Sequence, residues 1–307
     1  MIHFREITKI FRSELLGQPF TALSNVSFEV PEGSMVGFLG ANGAGKTTSL
    51  KIIMDFIRPT SGNVEFSSAL GSNRQEIFRN IGFLPERPYF YQNLTGHEFL
   101  SFMGKLTDLD TKTIEDRVRL WAPRFKIDHA LPRELKTYSK GMLQRIGFLA
   151  TILHEPKIII LDEPLSGLDP IGRKELKDVI VEVHKAGKTV FFSSHIVPDI
   201  EEICDRVIFL KNGNLAYDGS VSALMKQAKV QDFIMTVVAP GEIPSTIKLK
   251  ERLDLPESLT RFTVTPENKD VLLNHLVTNK KSIVSLEMMK PSLEEIFYNT
   301  RGTHDPQ

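Results

Sequence analysis

Residues 40–47, GANGAGKT, have the types and spacing needed to hold a string of phosphates. They match G-x-x-x-x-G-K-[ST] in full, between an apolar strand and a helix, which is the context that motif requires. Bare glycines let backbone N–H groups converge on a β-phosphate, beside the positive end of the following helix. Lys46 suits a place between the β- and γ-phosphates and is expected to face solvent, and the Thr47 hydroxyl can ligate Mg²⁺. Asn42, Gly43, Ala44, Gly45 and Thr48 complete the expected cradle. Farther on, IIILDEP ends an apolar strand with two acids. Asp162 suits the Mg²⁺ shell, and Glu163 is aimed where a carboxylate can polarise an attacking water. His195, closing FFSSH, is placed to donate to a γ-phosphate. A third stretch, YSKGMLQR at 138–145, sets Ser139 and Gly141 at a helix start far from the loop lysine. Taken alone it reads as a plain N-cap.

These groups need elements to position them. Up to about residue 228 the pattern alternates strands and helices. SFEV, a turn at Pro31-Glu32-Gly33 and SMVGFL lead into the glycine-rich loop. A helix follows with Leu50, Ile53, Met54 and Ile57 at helical spacing, stopped by RPTSG. Residues from about 94 to 154 read as a helical subdomain that ends in a helix from Gly141 to Leu153. KIIIL is a short buried strand of the parallel type. A helix from Gly172 to Ala186 shows Leu176, Val179, Ile180 and Val183 on one face, with Gly187 suited to its C-terminal cap. TVFFS is the next strand, and Asn212-Gly213 marks a hairpin. Such alternation predicts an α/β domain with a largely parallel sheet. Residues 229–307 read as a small α+β domain. Its strands are DFIMTVV, RFTVT and SIVSLEMM, with a helix near 269–278 and another over SLEEIFYNT. The stretch 240–256 shows no clear element.

Bulk composition narrows the function classes. Of 307 residues, 41% are hydrophobic and 25% charged, enough apolar material for a large domain and a small one. Thirty-eight Lys and Arg balance 38 Asp and Glu, so no net field draws the chain to nucleic acid or an anionic bilayer. One cysteine, Cys204, excludes an internal disulfide framework and reads as a small apolar residue. The start, MIHFREITKI, lacks the apolar core of a signal peptide, and no apolar run approaches bilayer-spanning length. Spanning helices, where needed, must come from another chain.

Together these motifs resemble the nucleotide-binding subunits of ABC transporters. The P-loop, YSKGMLQR in place of the signature LSGGQ, LDEP, the LSGLD loop at 165–169 and the switch histidine of SSH occur in that family's order, over nearly all of residues 1–228. Lys140 and Met142 depart from the signature at its third and fifth positions. The resemblance implies an ABC-type P-loop ATPase fold, with ATP and Mg²⁺ as cofactors and two domains packed head to tail. Ser139 and Gly141 would then grip the γ-phosphate of the neighbour's ATP, and Asp169 of the LSGLD loop would join the nucleotide-binding residues. The family's glutamine that touches Mg²⁺ and the attacking water falls on Glu86, and the adenine-stacking aromatic on Phe11, with Phe20 as competitor. The tail, PSLEEIFYNTRG, looks like that of the ABC-2-type exporters. This implies an ATPase at the cytoplasmic membrane face, coupled to a separate permease that Glu86 and the stretch 89–102 would touch. A soluble ABC ATPase working on nucleic acid or ribosomes, and an import ATPase, are the competing readings. A single P-loop, the lack of a heptad insertion and the balanced charge oppose the former.

Overall fold

In the computed structural model, residues 1–12, 18–227 and 232–289 are described, and the chain divides into two compact units, Met1–Val221 and Ser222–Gln307. The division thus falls at 221, ahead of the boundary expected at 228.

The first unit opens with β1 (Ile2–Phe11), β2 (Phe20–Val30) and β3 (Met35–Leu39). From β3 the chain turns through the glycine-rich loop into α1 (Lys46–Ile53), and β4 (Ser61–Phe66) returns to pair with β1. There follow α2 (Arg74–Arg79), β5 (Ile81–Leu84), α3 (Gly96–Leu106), α4 (Thr111–Trp121) and α5 (Lys140–Ile152). Next come β6 (Ile158–Leu161), α6 (Pro170–Lys185), β7 (Thr189–Ser194), α7 (Val197–Ile203), β8 (Arg206–Lys211) and β9 (Asn214–Ser220). The last element to begin in this unit is α8 (Val221–Gln227).

Two sheets organise these elements. Six strands run in the order β5-β6-β7-β3-β8-β9, parallel from β5 to β8, with β9 antiparallel at the edge. Every residue of β3, β6 and β7 is buried, as expected of central parallel strands covered on both faces. The β8–β9 hairpin turns on Asn212 (φ 49°) and Gly213 (φ 76°), the left-handed pair that a two-residue turn of matching twist requires. The second sheet is antiparallel, β2-β1-β4. Its inner face joins the six-stranded sheet through aromatic rings: Phe4 stacks on Phe28 at 4.5 Å, and Phe28 lies 5.4 Å from Phe38 and 6.0 Å from Phe191. Each such ring stabilises the fold by about 1.5–3 kcal/mol on burial.

Helix ends follow local chemistry. Thr95 and Glu98 form a reciprocal capping box at the start of α3. Asp169 caps α6 by accepting from the Gly172 N–H at 2.9 Å, and Pro170 occupies the first turn, where no amide donor is needed. This cap starts α6 at Pro170, ahead of the Gly172 start expected from periodicity alone.

The second unit contains β10 (Phe233–Val238), β11 (Leu249–Leu255), β12 (Leu259–Val264), α9 (Pro266–Thr278) and β13 (Ser282–Met288). The strands form an antiparallel sheet, β11-β12-β10-β13. Met235, Val237, Phe262 and Val264 pack with Leu272 and Leu276 of α9 into a separate small core. Strand β11 lies within the stretch that shows no element in the sequence. The helix expected over SLEEIFYNT lies outside the described residues.

Candidate active site

The phosphate-binding geometry is built where β3 ends and α1 begins. Gly43 (φ 81°) and Gly45 (φ 108°) hold left-handed backbone that only glycine adopts without strain. Gly45 is also closely surrounded: a Cβ there would meet Ala22 O at 2.8 Å. Lys46 is the first residue of α1 and is 6% exposed, which corrects the expectation that it faces solvent. Its Nζ donates to Gly40 O at 2.6 Å and lies 3.3 Å from Glu163 Oε1. A buried ammonium needs such partners, and loop carbonyls and a carboxylate are at hand.

The ends of β6 and β7 supply the acidic side. Asp162 is 2% exposed and accepts from Ser193 Oγ at 2.6 Å. Burial pushes its carboxyl above the ordinary value, against the Ser193 and Thr47 hydroxyls that pull it down, while Glu163 and Glu86 add to the rise. Glu163 has left-handed backbone (φ 51°) and donates its N–H to Ser193 Oγ at 2.8 Å. Its Oε2 meets His195 Nδ1 at 2.9 Å. Its Oε1 is buried with no hydrogen-bond donor, only the nearby Lys46 charge. That orphaned acceptor points into a polar site.

These groups converge on a cavity of about 380 Å³. Asn42, Gly43, Gly45, Lys46, Thr47, Thr48, Glu86, Glu163 and His195 line it. Of the expected cradle, Ala44 is buried, with its Cβ facing Gly40, and Asp162 sits behind the wall. Glu86 is on the rim, its side chain 44% exposed. Phe20 and Ser166 also contribute. Phe11 does not: it lies outside the lining, with Lys9 Nζ 4.9 Å over its ring. Of the two candidate aromatics, Phe20 is thus the one that borders this cavity. Sequence reasoning also missed Ser193, whose hydroxyl joins the two acids.

Ser139, Gly141 and Asp169 are elsewhere. They line a second cavity of about 320 Å³ with Lys126, Met142, Arg145 and Glu175, and no residue is shared with the first. Ser139 caps α5, accepting from the Met142 N–H at 3.3 Å. Arg145 Nη2 and Lys126 Nζ hold Glu175 at 2.5 and 2.6 Å and draw its carboxyl below the ordinary value. This surface therefore offers a helix start and two cations beside a hydroxyl.

Among the described residues, no helix is long and apolar enough to cross a membrane. Comparison with known proteins gives a consistent set of matches. The family model for ABC transporter matches residues 23–166. An uncharacterized ABC transporter ATP-binding protein of Synechocystis sp. is 34% identical over 295 residues, covering 95% of this chain and 82% of that protein. The bacitracin transport ATP-binding protein BcrA of Bacillus licheniformis is 30% identical over 311 residues, covering 98% and 97% respectively. A solved ATP binding subunit of an ABC transporter superposes with TM-score 0.64 at 28% identity, over 74% of this chain and 92% of that one.

Proposed function

Since this chain belongs to the family of ABC transporter ATP-binding proteins, and is an ATPase, we propose that it works as one of two head-to-tail subunits that drive a separate ABC-2-type permease in export. The observation that carries this reading is the division of the motif residues between two cavities on one unit, one lined by the P-loop, Glu163 and His195, the other by Ser139, Gly141 and Asp169. Packed face to face, each chain would offer its second cavity to the ATP in its partner's first.

Within the first cavity the roles follow from chemistry. Backbone N–H groups of 42–48 and the Lys46 ammonium bind the phosphates. Phe20, exposed on the rim, offers a ring for the adenine face. The available donors suit a hard cation: Thr47, Asp162 and Glu86 are all oxygen donors, and nucleotide phosphates supply further oxygens. Mg²⁺ held there would offset the phosphate charge. Glu163 accepts the proton of the attacking water, and His195, hydrogen-bonded to it, donates toward the γ-phosphate. Export is supported by the tail pattern and by similarity along nearly the whole chain to BcrA, a bacitracin transport protein. Coupling to a permease would place the chain at the cytoplasmic face of the membrane.

Cross-linking tests the shared site. One chain carries Cys204→Ser, Glu163→Gln and Ala41→Cys, and a second carries Ser139→Cys in the same background. With Mg·ATP and a short bifunctional thiol reagent the two chains should join, and without nucleotide they should not. Joining that ignores ATP, or that occurs only within a chain bearing both new cysteines, sinks the composite site.

A further inference from the structure

Ser193 is a fully buried polar side chain that the proposed roles do not use. It lies near the end of β7 at 0% exposure, and its single hydroxyl serves both acids of the site. It donates to Asp162 Oδ1 at 2.6 Å and accepts the Glu163 N–H at 2.8 Å. The two bonds orient each other, because a hydroxyl has one proton: with that proton on the carboxylate, a lone pair is free for the amide. The backbone ladder between β6 and β7 pairs Leu161 with Phe192 as its last register. Beyond that pair, the Ser193 side chain links the two strands. The linked residue is the one whose backbone is unfavourable: Glu163, at φ 51°, occupies a region that side-chain-bearing residues rarely adopt and that surrounding bonds must hold. Held so, its carboxylate reaches Lys46 and His195, and His195 itself leaves the same strand two residues after Ser193. Ser194, by contrast, turns away and accepts from the Ile196 N–H at 3.0 Å, at the approach to α7.

We infer that Ser193 is a positioning residue for hydrolysis: anchored on Asp162, its hydroxyl pins the Glu163 peptide in the left-handed conformation that aims the catalytic carboxylate into the cavity. The inference rests on the reading of Glu163 as the base, and its test separates the two. Full-length wild type, Ser193→Ala, Ser193→Thr, Glu163→Gln and Ser193→Ala/Glu163→Gln are compared in single-turnover hydrolysis, nucleotide titration and amide hydrogen exchange. Ser193→Ala should lower the hydrolysis rate about 10- to 100-fold, the usual scale for losing a supporting contact, with ATP affinity within about threefold of wild type. Ser193→Thr, which keeps the hydroxyl, should restore the rate. In the nucleotide-free chain, the peptide bearing Glu163 should exchange on the order of tenfold faster in Ser193→Ala and at the normal rate in Ser193→Thr. In the Glu163→Gln background, Ser193→Ala should add less than about twofold, since a residue acting through Glu163 has nothing left to position.

Equal fold-losses in both backgrounds, or a wild-type rate in Ser193→Ala, overturn the positioning role while leaving Glu163 as the base. A near-normal rate in Glu163→Gln overturns both. Should Ser193→Ala melt below the assay temperature, Ser193→Cys replaces it under the same criteria, because a thiol keeps the volume and accepts an amide proton only weakly.

Discussion

At Lys46 the ammonium is held by the Gly40 carbonyl and by Glu163, so removing it affects both halves of the cavity. Lys46→Ala should lower ATP turnover by at least roughly 10²-fold, the scale for losing one donor aimed at developing charge. Parallel ATP titration and thermal melting check this, and unchanged turnover would remove the lysine from the site. Phe20 and Phe11 differ in a testable way. Phe20→Ala should weaken ATP binding by about 1–3 kcal/mol, the range for an aromatic ring stacked on a base, while Phe11→Ala should leave affinity unchanged. A fluorescence titration reversing that order would return the adenine face to Phe11. At this scale the sequence is legible wherever spacing encodes chemistry, as in the P-loop, Asp162, Glu163 and His195. It is silent where a role depends on a partner distant in the chain. Ser193 is one of two adjacent serines at the end of β7, and nothing singles it out until β6 is laid beside β7. The burial of Lys46 likewise depends on Glu163, which the sequence does not place next to it.

Among the elements, β3 and β6 are readable because these central parallel strands carry no polar side chain, β7 through its apolar Val190-Phe191-Phe192 run, and α6 because its buried residues recur on one face. Strand β11 is not. LKERLDL lies at a sheet edge with all but its two end residues exposed, so nothing obliges it to alternate. A less visible dependence concerns α3 and the start of α5. The Tyr138 hydroxyl donates to Ala130 O at 2.7 Å and lies so close to Gly96 that a Cβ there would collide with it. Tyr138 directly precedes Ser139. Gly96→Ala should therefore displace the signature while sparing the P-loop about 50 residues earlier in the chain. The expected outcome is ATP affinity within about threefold of wild type and loss of most ATP-dependent joining between Ala41→Cys and Ser139→Cys chains. Normal joining would show that α3 tolerates the methyl group without disturbing α5.

Across the whole molecule, zero net charge leaves local surfaces to select partners. Among the described residues, Tyr89, Tyr91 and Phe102 form an exposed aromatic cluster, with Tyr89 at 86% exposure and 6.0 Å from Tyr91, on the stretch that follows Glu86. Aromatic side chains of this kind anchor interfaces. Tyr89→Ala should lower transport or recruitment to permease-bearing membranes by roughly tenfold, the loss expected from one interface anchor, with basal ATPase nearly unchanged. Equal losses in both would place Tyr89 in the catalytic unit instead. The disjoint cavities have a kinetic consequence. When half of each site is borrowed, a dilute preparation of the chain alone turns over ATP in proportion to the square of its concentration. The order falls to one only once encounters between copies are saturated. Specific activity should therefore rise with concentration, and an excess of the Lys46→Ala chain, whose second cavity is intact, should raise the rate of dilute wild type by lending it the missing half-site.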